Sequence, residues 1–193
     1  MVRVCITVLA GGRSRRMGRD KRALVHPSAH QPLIQYVCRQ ALATGLPVYC
    51  LSDKAGLDTT GCRVLVDMRP YEGPYRSLLS FCASHVRDYS HCVVLATDMP
   101  GITAQIVGEL LASAEGRPDV SAHFACLDGR RQYLCAVYRL DALVLRPELD
   151  SFRQLTEQPG LTFVDRHDLA PEGLININTP EEWEQWKTNQ GPS

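Results

Sequence analysis

An alternation of short apolar runs with helix-length amphipathic segments, most regular in the first 114 residues, limits what this chain can fold into more than any other feature. Short continuous apolar runs read as strands buried on both faces, the pattern of parallel sheets whose crossovers are helices. Val2–Leu9 reads as the first such strand. A helix over Pro32–Ala43 follows and ends before Gly45 and Pro47; Val48–Leu51 and Val64–Val66 read as further strands. Next come a helix over Arg76–Val86, a strand over Cys92–Ala96 and a helix over Ile102–Ala114 that Thr103 can cap. The implied class is α/β: a Rossmann-like three-layer α/β/α architecture with a mostly parallel twisted sheet.

The second half is less regular. Val120–Cys126 and Leu134–Val137 read as strands joined by a turn at Asp128-Gly129-Arg130. A helical segment over Leu140–Leu145 stops at Pro147, another covers Ser151–Gln158, and Leu161–Val164 reads as a short strand. Thr179-Pro180-Glu181-Glu182 starts a helix, with threonine at the cap, proline in the first turn and a glutamate three residues on to close a capping box. Thr188–Ser193 is expected to fray. With 193 residues, 45% of them hydrophobic, the chain suits a single domain.

Formal net charge is zero, so no whole-molecule field favours nucleic acid or an anionic membrane surface. Eight scattered cysteines without a C-x-x-C pair read as reduced, mostly buried thiols of a cytoplasmic protein. No apolar stretch is long enough to span a bilayer, and the N-terminal basic cluster follows its apolar run, the reverse of a signal peptide.

The first strand empties into Leu9-Ala10-Gly11-Gly12-Arg13-Ser14-Arg15-Arg16-Met17-Gly18-Arg19-Asp20-Lys21, a loop suited to phosphate. Gly11, Gly12 and Gly18 let backbone N–H groups converge on an anion, and Arg13, Arg15, Arg16, Arg19, Lys21 and Arg22 surround them with positive charge. The Walker spacing fails, because five residues separate Gly12 from Gly18 and no lysine follows directly. G-x-G-x-x-G fails too, since Gly11 and Gly12 are adjacent. Asp98, at the exit of the strand Cys92–Ala96 and just before Pro100, stands where ligands of open α/β sheets gather and offers a carboxylate of the kind magnesium prefers, or else simply opens a turn.

The run Leu9–Lys21 resembles the nucleotide signature of the molybdenum cofactor guanylyltransferase family, nucleotidyltransferases related to sugar-nucleotide pyrophosphorylases. The resemblance extends to about Trp186 and implies the nucleotide-diphospho-sugar transferase fold, with positions 1–100 as a nucleotide-binding half and 101–187 as an acceptor-binding half. It implies that Leu9, Ala10, Gly11, Gly12, Arg13, Ser14 and Gly18 wrap the nucleotide, that Lys21 contacts the triphosphate with Arg16 beside it, and that Asp98, in a D-x-P motif, binds magnesium. Gly12 and Asp20 favour GTP over CTP. By chain order Asp67 and Gly73, and more loosely Ser52, lie at the nucleotide. Asn176 and Asn178, on one face of a short strand in a segment like N-x-N-T-P-E-E, lie on the acceptor or metal side.

Two departures fall on the acceptor side. The family's G-P-L-A-G is here Gly73-Pro74-Tyr75-Arg76-Ser77, so Ser77 is expected to reshape the pocket and Arg76 to offer charge to an acceptor. A proline usual in the family is replaced at Gln132-Tyr133. His26 and His30 flank a loop read as solvated; Trp183 and Trp186 read as packing groups, and the basic run, lacking aromatics, is a poor RNA face. Three functions follow: transfer of GMP to molybdopterin, transfer to another phosphorylated metabolite such as a sugar phosphate from GTP or CTP, or non-catalytic nucleotide binding. The resemblance also allows protein partners of cofactor biosynthesis.

Overall fold

The computed structural model describes residues 2–12, 16–59, 61–67 and 71–189. Its elements run β1 (Val4–Leu9), α1 (Leu33–Leu42), β2 (Val48–Ser52), β3 (Arg63–Val66), α2 (Pro74–His85), β4 (His91–Ala96) and α3 (Ala104–Gly116). After these come β5 (Ala122–Leu127), β6 (Arg130–Arg139), α4 (Leu140–Val144), α5 (Phe152–Thr156), β7 (Phe163–Arg166) and α6 (Pro180–Asn189). The strands form one sheet in the order β3-β2-β1-β4-β6-β5-β7. It is parallel throughout except for β6, which lies antiparallel to both neighbours.

The most continuous apolar runs take the centre. Every residue of β1, β2 and β4 is buried, whereas β3 and β7, at the edges, are partly exposed. Helices α1 and α3 pack Val37 and Val107 against Ile6, Val93 and Leu95 on one face. Helices α2, α4 and α5 pack Leu78, Leu143 and Phe152 against Cys5 and Val94 on the other. These two layers bury the apolar surface that gives the sheet its main driving force.

Local chemistry sets most boundaries. Thr103 caps α3 by accepting from the Ile106 N–H at 3.3 Å, and Ser151 caps α5 by accepting from Gln154 at 3.2 Å. Asp128 and Gly129 take φ of +50° and +71°, the left-handed pair whose twist suits the β5–β6 hairpin. Glu182 and Thr179 close the capping box in both directions at 3.2 Å. Strand β7 begins at Phe163, later than hydrophobicity places it, and α6 continues through Asn189, where fraying was expected.

One sequence expectation is corrected at residues 175–178. Among the described residues this segment joins no sheet ladder; a 3₁₀ turn over Pro171–Leu174 leads into it. It is extended, and it forms a strap held by the Ile177 N–H donating to the Asp98 carbonyl at 2.8 Å. The strap fits because Gly101 has no side chain: a Cβ there would stand 2.2 Å from the Glu172 carbonyl oxygen. Alternation survives without a strand. Ile175 and Ile177 pack on Trp183, Trp186, Met17, Leu24 and Leu33, while Asn176 and Asn178 make polar contacts elsewhere.

All eight cysteines are free thiols, seven of them buried. No described helix is long and apolar enough to cross a membrane.

Candidate active site

Parallel pairing in register brings Leu9 of β1 opposite Ala96 of β4, and the Ala10 N–H donates to the Leu51 carbonyl at 2.8 Å. The chain segments leaving β1, β2 and β4 therefore emerge together at one edge of the sheet. A cavity of about 590 Å³ opens there, lined by Gly11, Gly12 and Lys21 together with Asp53, Asp67 and Ser77. No atom of the described residues lies within 4 Å of where a Cβ on Gly11 or Gly12 would stand, and Gly12 takes φ +121°, which disfavours any L side chain.

Lys21 is the meeting point of the site. Its Nζ donates to Asp98 Oδ2 at 3.1 Å and to Asn178 Oδ1 at 2.9 Å, with side-chain exposure of 15% for Lys21 and 22% for Asp98. Arg16 reaches the same Asn178 oxygen at 3.4 Å. Three segments far apart in sequence thus deliver a cation, a carboxylate and an amide to one point. The other Asp98 oxygen, Oδ1, is buried without a hydrogen-bond partner among the described residues. A buried carboxylate oxygen left unsatisfied at the carboxyl end of a central strand, facing a glycine-lined cavity, fits a hard divalent cation with oxygen ligands.

Behind the loop lies a group that the sequence offered only as one of six cations around the glycines. Arg22 is buried, bonds both carboxylate oxygens of Asp20, and donates to the Ala10 carbonyl at 2.9 Å and to Asp53 Oδ1 at 2.6 Å. Asp20 caps the 3₁₀ turn Lys21–Ala23, which aims Lys21 at Asp98. The hydrogen bond from Arg22 holds the Asp20 carboxyl below its usual range. Burial pushes Asp53 upward, but the Arg22 hydrogen bond and charge, with the Tyr71 phenol, outweigh it and leave that carboxyl lowered as well. Met17 anchors the other limb of the loop by burying its side chain among Trp183, Trp186 and Leu33. Neither role had a signal in the sequence beyond one arginine among many and an apolar residue inside a basic run.

The remaining expectations divide. Leu9, Ala10, Gly11, Gly12, Lys21, Asp67, Gly73 and Asp98 all line the cavity. Arg13 and Ser14 lie outside the described residues. Gly18 takes φ +68° in the turn before Asp20 and is not part of the cavity wall. Ser52 is corrected: it is fully buried, its hydroxyl accepts from the Lys54 N–H at 3.1 Å, and its neighbour Asp53 faces the cavity instead. Arg76 is corrected too, because its guanidinium is held by Asp150 at 2.9 Å and the Pro147 carbonyl at 2.7 Å, on the α4–α5 connection. Tyr75 is buried edge-on to Phe152, and Tyr133 stacks on Phe152, so these two of the departing residues pack under α5. Ser77 does face the cavity, and its hydroxyl donates to Asp67 Oδ2 in a short hydrogen bond. Asn176 donates to Gln132 Oε1 at 2.8 Å rather than into the cavity.

His26 is buried, not solvated. Its ring stacks on Tyr36 at 4.0 Å and its Nε2 lies 3.1 Å from the Pro100 carbonyl, buttressing the turn after Asp98. Trp183 and Trp186 are buried packing groups. Cys126, Asp165 and His167 bring three potential metal ligands within 4.8 Å of one another at the outer strands. Arg131 spans both oxygens of Asp165 at 2.7 and 3.0 Å, which commits that carboxylate to an ion pair.

Comparison with known proteins agrees with this architecture. Residues 6–169 match the family model described as MobA-like NTP transferase domain. A probable molybdenum cofactor guanylyltransferase of Mycobacterium ulcerans is 33% identical over 184 residues, covering 89% of this chain and 87% of that protein. One of Mycobacterium tuberculosis is 33% identical over 183 residues, with the same shares covered. Among solved structures, molybdopterin-guanine dinucleotide biosynthesis protein A of Archaeoglobus fulgidus superposes with a TM-score of 0.75 at 19% identity, over 96% of this chain and 98% of that one. CMP:2-keto-3-deoxy-manno-octonic acid synthetase, solved with CTP, gives 0.78 at 17% identity, over 97% and 98%. The chain belongs to the MobA-like NTP transferase family, with the nucleotide-diphospho-sugar transferase fold, and is a nucleotidyltransferase.

Proposed function

We propose that this enzyme transfers GMP from GTP to the phosphate of molybdopterin in a magnesium-dependent reaction that releases pyrophosphate. The observation that carries the reading is the convergence of Lys21, Asp98 and Asn178 beside the glycine loop, with Asp98 Oδ1 left unsatisfied. In such a transfer an oxygen of the acceptor phosphate bonds to the α-phosphorus, the bond from that phosphorus to the bridging oxygen breaks, and pyrophosphate departs. The N–H groups of Gly11 and Gly12 and the Lys21 ammonium are suited to hold the triphosphate, Lys21 exchanging Asp98 for phosphate oxygens. Asp98 would hold magnesium, whose chemistry when bound is to neutralise charge on the phosphates. Arg16, tied to Asn178, would add positive charge at the same end.

Guanine as the base is supported by the names of the curated relatives, and molybdopterin as acceptor has the same support. A sugar-phosphate acceptor rested on Tyr75, Arg76 and Ser77, of which only Ser77 faces the cavity. The test is pyrophosphate release from GTP or CTP, with magnesium, across phosphorylated acceptors including molybdopterin. GTP and molybdopterin together should give turnover, and Asp98→Ala should lower kcat by at least about 100-fold while keeping the thermal transition. An Asp98→Ala enzyme with native turnover would remove the metal assignment, and turnover confined to another acceptor would remove molybdopterin.

A further inference from the structure

Arg22 belongs to the basic run, yet its charge is already engaged. Its Nε donates to the two Asp20 oxygens at 2.8 and 3.0 Å and its Nη2 to Asp20 Oδ2 at 2.7 Å, while Nη1 donates to Asp53 Oδ1 at 2.6 Å and to the Ala10 carbonyl at 2.9 Å. All three guanidinium nitrogens are occupied, and two carboxylates outweigh one cation, so this arginine is poorly suited to be a phosphate ligand. What it holds is the neck of the loop. Ala10 stands directly before Gly11 and Asp20 directly before Lys21, so one buried side chain ties the way into the glycine segment to the way out toward the lysine. Asp53, the residue after β2, adds a third tie. The Arg22 backbone N–H donates to Asp20 Oδ1 at 3.0 Å, the bond that caps the 3₁₀ turn from which Lys21 reaches Asp98 and Asn178.

We propose that Arg22 is a positioning residue for phosphate binding: acting through Asp20 and the Ala10 carbonyl, it sets the aim of Lys21 against the Gly11-Gly12 backbone and contributes by shape, not by charge. Hydrogen bonds to charged groups are strong where water is excluded, so the tie at Arg22 is stiff. A neck fixed in advance spares ordering entropy when a triphosphate arrives. The inference rests on the nucleotidyl-transfer reading and adds to it a residue that touches no reacting atom.

Shape and charge give opposite signs for one substitution. Asp20→Ala takes a negative charge from beside the loop, which by charge alone tightens the binding of an anion. Through the neck it does the reverse, since the turn that carries Lys21 loses its cap and its tie to Arg22. Calorimetric titration of the whole protein with inorganic tripolyphosphate and magnesium should find Asp20→Ala about ten-fold weaker than native, the size of one lost charge-assisted hydrogen bond. Asp20 is exposed enough for this variant to keep its fold. Arg22→Met combined with Asp53→Asn removes one charge of each sign, keeps the local net charge native, and should weaken tripolyphosphate by a similar factor. Lys21→Met separates positioning from general damage: it should cost about ten-fold in the native protein but under about three-fold on top of Asp20→Ala, because a lysine already out of aim has little left to lose. The proposal is overturned if Asp20→Ala or the charge-balanced pair binds tripolyphosphate as tightly as the native protein, or if the losses from Asp20→Ala and Lys21→Met add in full. Those outcomes leave the phosphate site standing; a native protein that binds neither tripolyphosphate nor GTP removes the parent reading.

Discussion

Replacing Arg22 with methionine tests the physical account of the loop most directly. Methionine keeps much of the apolar stem and removes the guanidinium. The side chains of Arg22 and Asp53 are 9% and 7% exposed, so the substitution leaves a buried carboxylate without its cation. Breaking a buried ion pair from one side costs about 3–5 kcal/mol, because the surviving charge stays desolvated. Asp20, 42% exposed, is rehydrated easily and adds only about 0–1 kcal/mol. At roughly 2–4 °C per kcal/mol for a domain of this size, the midpoint should fall by about 10 °C in differential scanning calorimetry at pH 7. Adding Asp53→Asn removes the stranded charge and should restore about 1–3 kcal/mol of the loss. An Arg22→Met protein melting within about 2 °C of native, or a double variant no more stable than the single one, refutes the claim that this pair is a buried brace.

Further outcomes follow from other parts of the molecule. Ser77→Gly places glycine in the first turns of α2 and removes the hydrogen bond to Asp67, so the midpoint should drop by about 2–4 °C for roughly 1 kcal/mol; an unchanged or raised midpoint contradicts this. Burial holds the imidazoles of His26, His91 and His123 below their usual range. The unfolded chain then binds more protons than the native one once pH falls below about 6.5, so stability should begin to decline there. A second decline belongs to Asp20 and Asp53, whose lowered carboxyls stabilise the fold above about pH 3.9 and lose that contribution as pH falls through their native values. Urea titrations from pH 8 to 3 should resolve both limbs, and Arg22→Met should flatten the lower one; a profile level to pH 4 excludes the histidine limb.

Much was legible in the sequence because the signals are local. Period and apolar runs located the strands, Thr103, Ser151 and Thr179 marked helix starts, and Asp128-Gly129 marked the hairpin. Strand exits located Asp98 and Asp67, since ligands of open α/β sheets gather at the carboxyl ends of the strands. Residues 174–178 misled because alternation of apolar and polar residues describes any extended segment with one buried side, whether or not a ladder pairs it. Tyr75, Arg76 and Tyr133 misled for another reason. Their departure from a family pattern marked change without direction, and the side chains turn to α5 and the loop before it.

By itself the sequence determined the α/β class, the glycine-bearing basic loop after β1 and the aspartate after β4, all properties of short contiguous stretches. Only the tertiary structure decided that Lys21 meets Asp98 and Asn178, that Arg22 is a buried brace, and that Met17 anchors the loop in a tryptophan cluster. The physical reason is distance along the chain. Lys21 is 77 residues from Asp98 and 157 from Asn178, and which cation of a basic run is desolvated depends on the carboxylates that folding brings to it.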